Sequence, residues 1–82
     1  MYYVYILKSI KDNNLYTGYS SDLKRRVDEH NRGKVDSTKN RLPIKLICYE
    51  AYLDEETARA REQFLKTSDG KKDIKRRLKK YL

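Results

Sequence analysis

The chain has 82 residues and a net charge of +8, from 20 Lys and Arg against 12 Asp and Glu. That length gives one domain, residues 1–82, with a small core, and that charge calls for a polyanionic partner: nucleic acid first, with an anionic membrane surface or ribosomal RNA meeting the same description. One cysteine and one histidine exclude an internal disulfide and a zinc cluster of Cys and His, and no apolar run approaches the roughly 18 residues of a membrane span.

The opening residues, MYYVYILKSI, have neither the basic start nor the small-residue cleavage site of a secretion signal. A cytoplasmic, reduced protein without a membrane segment is expected. Residues 2 to 9 are apolar and β-branched or aromatic on both parities, which suits a strand buried on two sides. Asp12-Asn13-Asn14 is turn chemistry, and Leu15 to Gly18 reads as the returning strand of a hairpin. Ser20 or Ser21 can cap a helix that runs to about Arg32, where Gly33 ends it. Residues 33 to 42 are polar and without period, a loop. Pro43 opens a third strand over residues 44 to 52, with Cys48 a buried thiol within it. Asp54 is the N-cap of a second helix, EETARAREQFLK, and Ser68-Asp69-Gly70 breaks it. The tail, KKDIKRRLKKYL, forms a third helix with Ile74, Leu78 and Tyr81 or Leu82 on one stripe. The expected fold is α+β: a small three-stranded, mostly antiparallel sheet flanked by helices in the order β-β-α-β-α-α.

Helical geometry sorts the charged residues. Leu23 and Val27 define the packed stripe of the first helix, and at 100° per residue Tyr19, Arg26 and His30 fall within about 60° of Leu23. Arg25, Asp28 and Glu29 point away. A cation at the edge of a core needs a partner. For Arg26 that partner is either a nearby carboxylate or a bound phosphate. His30 is either a hydrogen-bonded structural histidine or part of a site. In the second helix Glu62 shares a face with Ala58 and Leu65. Glu55 and Glu56 favour the helix dipole at the first turn, but Glu62 is mid-helix and has no such reason. It is either an ion pair with Arg59, Arg61 or Lys66, or a functional carboxylate. Tyr5 and Tyr16 sit on neighbouring strands, where aromatic packing alone would account for them. Gly18 marks a strand end or a close backbone approach.

In this order and on these elements the residues resemble the GIY-YIG nuclease superfamily, and within it the small stand-alone bacterial proteins related to the catalytic domain of the excision-repair incision subunit. Tyr3-Val4-Tyr5 corresponds to the first family tripeptide, degenerate at its glycine, and Tyr16-Thr17-Gly18 to the second. Arg26 follows Tyr16 by ten residues, at the position of the family arginine, and His30 stands four later, where members carry His or Tyr. Glu62 matches the metal-binding glutamate. The likeness covers about residues 2 to 66.

The resemblance implies single-metal phosphodiester hydrolysis in DNA. Glu62 would hold one Mg²⁺ or Mn²⁺ ion, since Mg²⁺ prefers few carboxylates and several waters. Arg26 would pair with phosphate oxygens through its planar fork. Tyr5 would be the general base, or Tyr16 would share that role, with a phenolate favoured by nearby positive charge. His30 would relay a proton or orient Tyr5. The sequence departs from the family at Tyr19, where the incision subunit has a lysine, and no equivalent of the asparagine after the glutamate helix stands in TSDGKKDIKRR. Gly18, Tyr19 and the basic C-terminal helix, about residues 70–82, are the expected nucleic-acid contacts, with Lys72, Lys75, Arg76 and Lys79 foremost. Such contacts read backbone phosphate with little sequence preference. The loop from Lys34 to Arg41 would add to them. With no separate recognition element in view, the expectation is a structure-guided or weakly specific endonuclease, or one that borrows targeting from a protein partner. The alternatives are a non-catalytic nucleic-acid-binding module on the same fold and a basic ribosome-associated protein.

Overall fold

The computed structural model describes residues 1–82. Strands β1 (Tyr2–Ser9), β2 (Leu15–Ser20) and β3 (Ile44–Tyr52) form one antiparallel sheet in the order β2-β1-β3. Helix α1 (Leu23–Asn31) lies between β2 and β3 in sequence, and α2 (Glu55–Leu65) and α3 (Ser68–Arg77) follow β3. The α+β order β-β-α-β-α-α is therefore as expected. The central position of β1 explains its composition: Val4, Tyr5, Ile6 and Leu7 are all buried, because a strand paired on both edges and covered on both faces has no polar side.

The two sheet faces carry two small cores. Val4 and Ile6 pack with Ala58, Leu65 and Ile74, from α2 and α3. On the other face Tyr5 and Leu7 pack with Ile44, and with Tyr16, Leu23 and Val27 around them. Alternation along β1 thus sends Tyr5 to the α1 side of the sheet and its neighbours to the α2 side.

Three local expectations change. Asp22, not Ser20 or Ser21, caps α1, accepting from the Arg25 N–H; Ser20 is the last residue of β2 and donates its hydroxyl to the Asp22 carbonyl. The helix therefore starts after Tyr19, whose place in β2 sets it on the α2 side with Tyr2 and Val4. Ser68-Asp69-Gly70 is not a break but the first turn of α3. The Thr67 side chain caps it, accepting from the Gly70 N–H, and a Cβ on Gly70 would run into the Phe64 carbonyl and Leu65. Here glycine marks a close approach of two helices rather than a stop. The helix ends at Arg77, and a 3-10 turn, Lys79–Tyr81, completes the tail. The loop 33–42 is also no free surface element: Val35 and Thr38 are buried, and the Ser9 hydroxyl donates to the Arg41 carbonyl.

Candidate active site

Tyr5 stands opposite Gly18 in the β1–β2 pairing. Its ring crosses the space that a side chain at position 18 would fill. Gly18 is thereby accounted for: it is buried, and what comes close to it is the ring of Tyr5. The ring is 1% exposed and its hydroxyl meets His30 Nε2 at 2.8 Å. His30, near the end of α1, is fully buried, and its Nδ1 meets Thr38 Oγ1 at 2.7 Å. The imidazole stands edge-on to both tyrosines, with centroids 5.6 Å from Tyr5 and 5.1 Å from Tyr16. The two tyrosine rings lie 6.3 Å apart.

Arg26 lies one turn before His30, half-buried beside the Tyr5 hydroxyl. It pairs with Glu29 at 3.1 Å, so the carboxylate partner expected for an edge cation is present. Arg25, by contrast, is 61% exposed at the surface, as the helical arithmetic requires.

The site is electrically unusual. Burial, opposed by nothing strong enough, pushes the Tyr5 hydroxyl up to about 12; Tyr16 adds to this, and so does the charge of Glu62, while Arg26 pulls down. The expected phenolate is therefore not what the chain favours alone. Desolvation outweighs a single guanidinium. Burial likewise pushes His30 down to about 4, helped by Arg26 and opposed by Glu29. The imidazole is neutral at ordinary pH, which suits a ring wedged between two hydroxyls.

Glu62 reaches the site from the other face, off α2. Its carboxylate is only 13% exposed and pairs with Lys66 at 3.0 Å. No three Asp, Glu, His or Cys side chains converge anywhere in the chain. That arrangement cannot build an all-protein cage, but a cation that keeps most of its waters needs only one or two carboxylates, and Glu62 supplies one.

A groove of about 620 Å³ runs along the outer edge of β2, bordered by Lys66, the partner of Glu62, but not by Glu62 itself. Asn13, Asn14, Tyr16 and Thr17 form one wall, and Lys66, Lys71 and Lys75 line the other, with no acidic side chain among them. Tyr16 borders the groove while its ring stands against His30. The basic tail is sorted by this geometry. Lys75 faces the groove, whereas Lys72 and Lys79 are exposed on the surface. Arg76 is held by Asp73 at 2.6 Å. Arg77 joins Glu50, Arg61 and Asp73 in a network that ties α3 to α2 and β3. Tyr19 is engaged elsewhere: its ring stacks on Tyr2 beneath Arg59, and its hydroxyl donates to Glu55.

The sequence reading gave Thr38 no role of its own, weighed Lys66 only as an ion-pair partner of Glu62, and held Lys71 only as one of the lysines of the basic C-terminal helix. Thr38 had no signal, since it lies in a polar stretch without period. Lys71 had one: with α3 begun at Ser68, Lys71 and Lys75 fall one turn apart beside buried Ile74.

Comparison with known proteins agrees with this layout. Residues 1–75 match the family model of the GIY-YIG catalytic domain. A UPF0213 protein of Streptococcus pyogenes serotype M3 is 43% identical over 65 residues, 78% of this chain and 70% of that protein. A UPF0213 protein of Staphylococcus haemolyticus is 40% identical over 75 residues, 90% of each. The solution NMR structure of a UPF0213 protein from Bacillus halodurans shares 36% identity at a TM-score of 0.55, covering 90% of this chain and 82% of that one. The chain belongs to the GIY-YIG family and is similar to the UPF0213 proteins.

Proposed function

We propose that this protein is a divalent-metal-dependent endonuclease that hydrolyses phosphodiester bonds in DNA, guided by structure or by a partner more than by sequence. One observation carries the reading. Tyr5, Tyr16, Arg26 and His30 cluster on one face of the sheet, Glu62 on α2 lies near enough for its charge to act on Tyr5, and Tyr16 and the Glu62 partner Lys66 both border a lysine-lined groove.

The roles follow from exposure and charge. The Tyr5 hydroxyl is buried and bonded to His30, while Tyr16 is partly exposed, stands against His30 and borders the groove. Tyr16 is therefore the better placed of the two to take a proton from an attacking water, with Tyr5 the alternative base. His30 positions Tyr5. Arg26 supplies the planar donor fork for a phosphate oxygen. Family members generally work with a divalent metal, and Glu62 is the residue that would hold one Mg²⁺ or Mn²⁺. When bound, that ion supplies charge stabilisation for the phosphate and its leaving oxygen. Lys66, Lys71 and Lys75 track the backbone along the groove; Lys72, Arg76 and Lys79 add outer, sequence-independent phosphate contacts. The lone free Cys48 suits action in the reducing cytoplasm.

A second reading, a binding module without catalysis, draws on the Glu62–Lys66 pair, which neutralises the carboxylate without any metal. The two separate in one experiment. Labelled branched and plain duplex DNA is incubated with Mg²⁺ or Mn²⁺ and either wild type or Glu62→Ala. The nuclease reading expects cutting that the substitution abolishes while binding stays. No cutting by the wild type, with equal salt-sensitive binding by both, leaves the binding module.

A further inference from the structure

Arg59, Arg61 and Lys66 all stand within about one helical turn of Glu62, and the structure engages them differently. Arg59 is held by Glu55 at 3.1 Å and lies over the Tyr19 ring. Arg61 is held by Glu50 at 2.9 Å and reaches Asp73 at 3.6 Å. Lys66 alone pairs with Glu62, Nζ to Oε2 at 3.0 Å. A glutamate four residues before a lysine is the favourable order for a helical ion pair.

The two partners are unlike. The Glu62 side chain is 13% exposed and the Lys66 side chain 48%. Lys66 is the C-cap of α2, and its N–H donates to the Gln63 and Phe64 carbonyls. Its backbone is thus fixed, while its ammonium rides on a flexible stem. Lys66 also borders the groove together with Lys71 and Lys75, so the ammonium has a solvated place to go. The carboxylate, mostly covered in mid-helix, has none.

One carboxylate charge is therefore matched by one ammonium. A divalent cation that keeps most of its waters still needs a carboxylate, and no group of three ligating side chains forms to hold it without Glu62. With the ammonium in place, such an ion meets a like charge a few ångström away. That repulsion exceeds what a partly exposed ion pair contributes, so the ammonium and the ion exclude one another at the carboxylate.

We propose that Lys66 is the resident counter-ion of Glu62 and an autoinhibitory contact: a divalent cation reaches the carboxylate only in competition with the Lys66 ammonium, which gives way toward the groove. The pair is a property of the fold. Its competition with a metal rests on Glu62 being the ion-holding residue of the nuclease reading.

Mn²⁺ titrations of the full chain, without DNA and at low salt, follow the free ion by its electron paramagnetic resonance signal. Lys66→Met removes the charge and keeps the length of the side chain. It should bind Mn²⁺ roughly fivefold more tightly than the wild type, the equivalent of one ion pair. Lys66→Arg, which keeps the charge, should bind as weakly as the wild type. In a Glu62→Ala background Lys66→Met should change nothing, because the contested carboxylate is gone. Equal affinity of wild type and Lys66→Met overturns the proposal, as does a gain that persists without Glu62. Should Lys66→Met fail to fold, Lys66→Gln takes its place in the same comparison. The two readings fail separately. A gain through Glu62 in a protein that cuts no DNA refutes the nuclease and leaves the competition standing. Cutting that Glu62→Ala abolishes, with no gain of Mn²⁺ affinity in Lys66→Met, refutes the competition and leaves the nuclease.

Discussion

Lowering the pH from about 7.5 to about 5 should remove about 2 kcal/mol of folding stability through His30 alone. The folded ring, fully buried, takes up its proton only near pH 4, against 6.5 for the free side chain. The unfolded chain therefore binds a proton below 6.5 that the folded chain refuses. Stability is whole above 6.5 and is lost as the pH falls toward 4. Each pH unit inside that window costs about 1.4 kcal/mol, which gives about 2 kcal/mol at pH 5. The charged groups acting on the ring are Arg26, which strengthens the effect, and Glu29, which opposes it; its direct neighbours Tyr5, Tyr16 and Thr38 are uncharged across this interval. The assay is urea unfolding at the two pH values, on wild type and His30→Gln, so that carboxylate titration common to both subtracts out. The wild type should lose about 2 kcal/mol more than the variant over this interval. Parallel loss in both proteins would show that the ring protonates freely in the folded state. The buried Tyr5–His30–Thr38 row could not then exist as described.

Gly18→Ala sets a methyl group inside the Tyr5 ring; it should destabilise the fold by about 1–3 kcal/mol and displace Tyr5, and an unchanged melting temperature would contradict the packing. Replacing Lys71 and Lys75 together by Ala should weaken DNA binding evenly across sequences and reduce the slope of log affinity against log salt by about 2. Anisotropy titrations at several salt concentrations measure this, and an unchanged slope would place the strand away from the groove.

The element order, the burial of β1 and the candidate residues were legible from residue type and spacing. An apolar run on both parities fits a strand covered on both faces, and the apolar positions of α2 set Glu62 on the packed side while leaving open the ion pair that Lys66 makes with it. What could not be read was which residues sit opposite one another. The N-cap at Asp22 depended on how far β2 extends, and that extension moved Tyr19 to the other face of the sheet. Gly70 looked like a stop because its close approach to Phe64 and Leu65 is a contact between helices.

The sequence by itself determined the family and the order of elements, and singled out Tyr5, Tyr16, Arg26, His30 and Glu62 as candidates. Only the tertiary structure decided what each of them touches. It joined Thr38 to His30, eight residues along the chain, and Lys66, Lys71 and Lys75 to the edge of β2. It also set the protonation states, holding Tyr5 as a phenol and His30 as a neutral ring. Residue type carries a group's intrinsic chemistry, but desolvation and hydrogen-bond direction depend on neighbours that the fold brings together.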